Sequence, residues 1–584
     1  MRRRTAVVAL VAAAIVLVVY LLVLYAMPKH VFWSPDEGGR YLELRGLHWN
    51  GSYTLPYRGS RWDPEYRFFP NAWVYTTFSP EGTLRLPWPL WFPLLSRVPF
   101  ALFGMTGLYV IPLLSGVVIA LTCGALTCKL GSRLAPLTIL LVGLASPIFF
   151  YSLTFWEHTL ATALAMLAVV VAVHGGGRPR SLLAAMSLVF AACLMRLDMY
   201  AFFVALPIAV WIGNLRSAAL ADEGGVVNWL RGLPLPQRWR LWAGVVLIVG
   251  AALVLVLLLQ SHRMGFLLAP FLRADKMAHL LRMPNGLVEL VINSSDNDGP
   301  PVHRVWSRLA FGAACLAVVA AFVRSTRREA ALLFPALAVV VALSTWIAAL
   351  EHPYRAVHGI IPVAPYVLLA AYAVAQGWRE RRQPLLLLSV LTPLYLVLGI
   401  AAVLVFYLGG GGLGTTLEWG QRYVLTIYPL CAVLALHAVR TYWSSSRHLL
   451  QRLAFVLFFA AMGAIGAHQQ YRGLTMLHDN RRVLAVWDQA LRLPGPLVTD
   501  LWWLPAALSD LYVSRDVFVI EERADLGEWI AFAQRHGVRR FTFASVGQPF
   551  DSDSWPATVQ RRRVRNVEGL HVATIMLPRT VRSP

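Results

Sequence analysis

Trp33-Ser-Pro-Asp-Glu-Gly-Gly-Arg-Tyr-Leu-Glu43 lies just beyond the first hydrophobic span, which runs from about Val7 to Tyr25. Two adjacent carboxylates, Asp36 and Glu37, follow Pro35, and Arg40, Tyr41 and Glu43 come next at near-helical spacing. Acids favour helix N-termini, so a helix is predicted to start near Gly38. A charge cluster against an apolar span is costly to bury and marks a functional position by default.

The surrounding chain is a membrane chain. It has 584 residues, of which 58% are hydrophobic and only 14% charged. Its mean hydropathy is +0.58. A soluble domain needs more polar surface than this. The apolar runs after the first are Leu108–Cys128, Leu134–Leu153, Leu160–Val173, Leu182–Leu194, Tyr200–Ile212 and Leu241–Leu259. They continue as Trp306–Val323, Ala331–Leu350, Ile360–Ala375, Leu385–Tyr407, Tyr423–Ala438 and Leu453–Ala467. Together they predict a polytopic α-helical membrane protein of about 13 spans by the length criterion.

The net charge of +22 does not point to nucleic acid, because most arginines sit in short loops between apolar runs. That placement is the positive-inside signal of orientation. It puts the N-terminus in the cytoplasm and the loop over residues 28–87 outside. An odd number of spans puts the C-terminus outside as well. The five cysteines, Cys123, Cys128, Cys193, Cys315 and Cys431, all lie in or beside apolar runs. Neither a structural disulfide nor a cysteine metal site is expected of them.

Within the first loop, Tyr41, Leu44 and Leu47 form a helical apolar stripe, which predicts a helix lying in the membrane interface. Pro87-Trp-Pro-Leu-Trp-Phe-Pro93 reads as an interfacial turn. Other predicted outer segments also carry charge near helix ends. They are Phe155-Trp-Glu157-His158, the loop Gln260–His303 with Lys276 and His279, the run Glu351-His352-Pro-Tyr-Arg355-Ala-Val-His358, and Glu418-Trp-Gly-Gln-Arg422-Tyr423.

After His468 the composition changes. Leu497–Asp500, Val517–Ile520, Arg540–Ala544 and Leu570–Leu577 read as strands, and Leu526–His536 reads as an amphipathic helix closing at Gly537. Strand and helix alternation predicts a small extracytoplasmic α/β domain over 468–584, after a membrane domain over 1–467.

Asp36-Glu-Gly-Gly-Arg-Tyr-Leu-Glu43 resembles the Asp-Glu-x-x-Arg-Tyr-x-Glu segment of the bacterial lipid A aminoarabinose transferases. It is also similar to the Asp-Glu of protein O-mannosyltransferases. Both belong to the GT-C superfamily of polytopic glycosyltransferases. The resemblance continues in Pro87–Gly104, Tyr151–His158, Met195-Arg-Leu-Asp198 and Trp419–Tyr423, and it spans residues 1–467 in layout. The C-terminal segment has no residue match.

The resemblance implies a polyprenyl-phosphate sugar donor, an extracytoplasmic acceptor, and Asp36 as catalytic base with Glu37 beside it. Such a transfer also needs cations for the leaving phosphate, and guanidinium matches phosphate with paired donors. Arg422, Arg355 and Arg196 are the candidates. Arg40, Tyr41, Glu157, His158, Glu351, His352, His358, Glu418 and Lys276 are candidate cavity-lining residues.

Each assignment has a plainer reading beside it. Asp36 and Glu37 also suit a helix cap, and Arg422 suits a snorkelling anchor. Arg196 and Asp198 suit a local ion pair, and Glu157 and His158 a hydrogen-bonded pair. No cofactor is required. Glu351, His352, Arg355 and His358 include types that bind a divalent cation, though such a group is more often a structural polar cluster. The rival class is a lipid-linked saccharide flippase or transporter. Such proteins usually show repeats and mid-span charges, whereas here the charges collect at helix ends.

Overall fold

The computed structural model describes residues 3–49, 51, 55–69, 77–78, 83–85, 89–176, 178–196, 198–219, 359–407, 419–445, 449–520, 525–546 and 559–578. Lys276, Glu351, His352, Arg355, His358 and Glu418 lie outside the described residues, as do the expected spans Leu241–Leu259, Trp306–Val323 and Ala331–Leu350.

The chain divides into two compact units. One is Met1–Leu22, Ile111–Leu153 and Glu157–Leu474; the other is Val23–Val110, Thr154–Trp156 and Thr475–Pro584.

The described residues of the first unit are helical. Its elements include α1 (Arg3–Ala26), which continues beyond the unit, and α4 (Val110–Lys129). They are followed by α5 (Ala135–Leu144), α6 (Ile148–Ser152), α7 (His158–Gly175), α8 (Pro179–Met195) and α9 (Met199–Ala219). Later come α10 (Ile360–Val363), α11 (Val367–Glu380), α12 (Leu385–Tyr407), α13 (Ile427–Ser445) and the first part of α14 (Leu449–Leu491). Among the described residues, four helical stretches are long and apolar enough to cross a membrane: Arg4–Ala26, Trp91–Lys129, His158–Gly175 and Leu385–Val403.

Among the described residues, two expected continuous spans are broken at proline. Leu134–Leu153 divides between α5 and α6 around Pro147, which cannot donate to a helical ladder and disfavours helix in the residue before it. The Ser146 hydroxyl helps to satisfy the break, donating to Val142 O at 2.6 Å and accepting from Ile148 N at 3.3 Å. Ile360–Ala375 divides likewise around Pro365, between α10 and α11. The α7–α8 connection follows turn chemistry: Gly176 has φ +57°, and Pro179 opens α8.

The second unit joins the first loop to the C-terminal segment. It holds α2 (Pro35–Trp49) and α3 (Trp91–Phe103), the latter beginning inside the expected interfacial turn. A small sheet in the order β1 (Leu55–Pro56), β3 (Thr83–Arg85), β2 (Thr77–Phe78) follows α2 in the chain. The C-terminal segment forms a five-stranded sheet of β4 (Leu497–Thr499), β5 (Val517–Val519), β6 (Arg540–Val546), β7 (Gln560–Val567) and β8 (Leu570–Met576). The strand order is β5-β4-β6-β8-β7. β4 runs parallel to β5 and β6, while β8 is antiparallel to β6 and β7. Short helices α15 (Leu504–Ala507) and α16 (Ser509–Ser514) follow β4, and α17 (Asp525–Arg535) follows β5.

One hydrophobic core serves both parts of this unit. Val31, Leu42, Tyr57, Phe68 and Phe69 of the first loop pack with Leu484, Trp487 and Leu491 of α14 and with Leu504, Phe518, Trp529 and Phe541. Backbone bonds join the same parts, with Phe32 N donating to Ala507 O at 3.1 Å and Val519 N to Phe68 O at 2.9 Å. Tyr41, Leu42, Leu44 and Leu47 are buried inside this unit rather than displayed as the surface stripe of an interfacial helix. The expected boundary at 467/468 falls inside the unbroken helix α14.

α2 and α15 pack at backbone contact. A Cβ on Gly38 would overlap the Ala506 carbonyl oxygen, and the Ser509 hydroxyl donates to Gly38 O at 3.2 Å. The rigid neighbour here is main chain, so a methyl forces backbone movement. Gly38→Ala is expected to destabilise the second unit by about 1–3 kcal/mol, read as a lowered unfolding midpoint of the full-length protein in detergent. An unchanged midpoint would remove the close approach.

Candidate active site

Ser34-Pro35-Asp36-Glu37 forms a capping box at the start of α2. The Ser34 hydroxyl accepts from Glu37 N at 3.3 Å, and the Glu37 side chain reaches back to the main chain. Pro35 occupies the first helical position, where its missing N–H costs nothing. The helix therefore begins three residues before the expected Gly38, with both acids in its first turn.

The two acids differ sharply. Glu37 is 0% exposed. One carboxylate oxygen accepts from Trp33 N at 2.6 Å. The other accepts from Phe155 N at 2.5 Å and from the Arg481 guanidinium at 3.2 Å. Burial pushes its carboxyl upward, while the Arg481 charge and the backbone N–H groups of Phe155, Trp33 and Ser34 pull it down. Asp36, by contrast, is the single residue from Val31 to Leu44 that is not buried. Arg40 and Glu43 are buried in the same helix, and the Tyr41 hydroxyl donates to Asp510 at 3.1 Å.

Arg481 was not among the residues picked out in the sequence. It is 0% exposed, with its guanidinium carbon 5.0 Å from the Tyr109 ring centroid. A signal was available: it stands on the apolar stripe Leu477, Leu484, Leu491 of α14, all of them buried. A cation on the buried face of a helix needs a buried anion.

The first unit holds a second charged cluster, which brings together five residues named in the sequence. Glu157 and His158 stand at the start of α7, Arg196 and Asp198 between α8 and α9, and Arg422 before α13. Arg196 donates to Glu157 at 3.0 Å and to Asp198 at 2.7–2.8 Å. Its Nη1 also lies 2.7 Å from His158 Nε2 and 3.0 Å from Nδ1. His158 stacks on Tyr151 at 5.2 Å, and the Tyr151 hydroxyl donates to Trp419 O at 2.8 Å.

The Tyr423 ring lies within cation–π range of two guanidiniums, Arg422 at 4.9 Å and Arg196 at 5.5 Å. Arg422 also donates to the Tyr423 hydroxyl at 2.8 Å. Arg196 is thus engaged by two buried carboxylates, Glu157 and Asp198. Among the described residues, no group of three or more His, Cys, Asp or Glu side chains is arranged to hold a metal ion.

Arg196→Met would remove the cation from between Glu157 and Asp198. A loss of about 3–5 kcal/mol is expected, the usual cost of breaking a buried pair by deleting one partner. Chemical unfolding of the full-length protein reads it, and a variant as stable as wild type would show the pair to be dispensable.

Neither family models nor curated proteins match the chain. Solved structures are similar to it over most of its length. ArnT from Cupriavidus metallidurans bound to undecaprenyl phosphate is 13% identical, covering 96% of this chain and 97% of that one, with a TM-score of 0.45. The apo form of the same protein gives 0.44. An Archaeoglobus fulgidus oligosaccharyltransferase, in complex with Zn and sulfate, is 11% identical, covering 90% of this chain and 67% of that one, with a TM-score of 0.44.

Proposed function

We propose that the chain is a multi-pass membrane glycosyltransferase that takes a sugar from a polyprenyl-phosphate carrier and passes it, with inversion, to an extracytoplasmic acceptor. The acceptor is a glycan, lipid or protein of the cell envelope. The proposal includes about 13 spans by the length criterion, in the inner (plasma) membrane. The N-terminus lies in the cytoplasm, and the first loop and the segment over 468–584 lie outside.

The observation that carries the reading is the contrast between the adjacent acids. Glu37 is enclosed, with both oxygens taken by N–H donors, whereas Asp36 alone in its stretch is only half-buried. A general base must reach the proton that it removes, and only Asp36 of the pair is accessible.

In the proposed reaction the acceptor hydroxyl loses its proton to Asp36 as its oxygen attacks the anomeric carbon. The bond from that carbon to the phosphate oxygen breaks, and the polyprenyl phosphate leaves with the electron pair. Guanidinium groups meet the charge on the phosphate. Arg422 is assigned to this role, with Arg196 beside the same Tyr423 ring. Arg355 joins them on sequence alone, as do Lys276, Glu351, His352, His358 and Glu418 as cavity-lining residues.

The test is sugar transfer by the full-length protein in nanodiscs, with a panel of radiolabelled polyprenyl-phosphate sugars and a host envelope extract. Asp36→Asn, expressed and folded like wild type, is expected to lose at least about 100-fold in kcat. Retained activity would remove Asp36 as the base. No transfer from any donor, together with movement of lipid-linked saccharide across vesicles, would replace the reading with transport.

In the same assay Arg422→Ala is expected to raise the donor KM by about 10- to 100-fold, the range of a lost charge-assisted hydrogen bond. Arg422→Lys should restore it only in part, because an ammonium cannot offer paired donors. A donor KM unchanged in both would free Arg422 from the phosphate.

A further inference from the structure

We infer that Arg481 is a positioning residue, which holds the first turn of α2 through Glu37 and so sets where the Asp36 carboxylate stands. The inference rests on the reading of Asp36 as the base.

The geometry makes Glu37 a junction of three chain segments. Trp33 enters α2, Phe155 belongs to the short piece Thr154–Trp156, and Arg481 comes from α14. All three donate to one carboxylate. A carboxylate accepts from all of them, whereas an amide side chain turns one of its atoms into a donor facing a donor. An isolated buried carboxylate is strongly disfavoured, and the fully buried Arg481 guanidinium supplies the opposite charge.

The guanidinium is itself fixed. Its carbon lies 5.0 Å from the Tyr109 ring centroid, and Nη1 approaches the Met27 sulfur at 3.9 Å. The preceding residue of the helix, Asp36, inherits this fixation through the backbone, since Glu37 is anchored at both its N–H and its side chain. Adjacent acids thus divide the work. Glu37 is held by Arg481 and orients the turn, and Asp36 faces the reactants. A displacement of about 1 Å at a reacting group can cost about 100-fold in rate. Loss of the clamp should therefore act on turnover rather than on donor binding.

The test uses full-length Arg481→Met, Arg481→Lys and Glu37→Gln in nanodiscs, with Asp36→Asn and the exposed-side Arg482→Met as references. Arg482 pairs with Glu568 at the surface and should leave activity unchanged. Two readouts are taken: kcat and donor KM in the transfer assay, and backbone amide exchange by mass spectrometry.

For Arg481→Met and Glu37→Gln, kcat is expected to fall by about 100-fold, with the donor KM within about twofold. Exchange should rise over residues 31–40 and 154–156 while β4 and β6 keep their protection. Arg481→Lys should recover part of kcat. Wild-type kcat in Arg481→Met would overturn the inference, as would a loss confined to KM. If Arg481→Met loses protection throughout, the folded Arg481→Lys decides by the same criteria. If wild type transfers no sugar, or Asp36→Asn is fully active, the proposed function fails instead. The exchange readout then judges the clamp alone, with unchanged exchange over 31–40 overturning it.

Discussion

A carboxylate stripped of water must be surrounded by donors, and the arrangement of the second unit follows from meeting that demand at Glu37. The donors come from Trp33, Phe155 and Arg481, which are far apart in the chain. Bringing them to one point requires the first loop, the piece before α7 and the polar end of α14 to pack together. Charge neutralisation alone does not repay the desolvation of two ions. The apolar core around them supplies the remainder, with Leu42 of α2, Leu484 of α14 and the aromatic side chains of the C-terminal sheet in one buried cluster. The ion pair therefore specifies how the segments meet, and hydrophobic burial supplies the free energy that holds them there.

This arrangement changes what the C-terminal segment means. Its sheet is not an appendage with a core of its own. Tyr57, Phe68 and Phe69 complete that core from the first loop, and Asp510 receives both Tyr41 and Arg45 from α2. The helix carrying the Asp-Glu motif is buried against residues more than 440 positions away. In the first unit the same principle operates on Arg196, which sits between Glu157 and Asp198 and shares the Tyr423 ring with Arg422.

Much of this was legible in the sequence where a single physical signal dominated. The run Leu385–Tyr407 is one helix with those bounds, because an unbroken apolar stretch leaves its backbone no other partner. The strands around Val517 and Leu570 stood out by their β-branched and apolar runs. β7 did not, because Gln560–Val567 carries four arginines on an edge strand, where charge protects against further pairing. The breaks at Pro147 and Pro365 were hidden by hydropathy, which ignores hydrogen-bonding capacity. The start of α2 was misplaced because the acids were weighed and the Ser34-x-x-Glu37 capping box was not. Asp36 in the second unit, and Glu157, Arg196 and Arg422 in the first, could be picked out as candidates by residue type and position. Arg481 could not be paired with Glu37, since a partner 444 residues distant leaves no local trace.

That separation bears on how the protein is made. Residues 28–69 leave the ribosome long before Leu484, Phe518 or Phe541 exist. At about 5–20 residues per second, the interval between Glu37 and Arg481 is on the order of 20–90 s. Throughout it, Tyr57, Phe68 and Phe69 lack the surface against which they finally pack, and the Glu37 carboxylate lacks its cation. The first loop must wait, hydrated or chaperoned, while the helices of the first unit are synthesised. Translation that stops before α14 thus leaves an aromatic-rich loop with no fold to join, and such a fragment is a natural target for quality-control proteolysis.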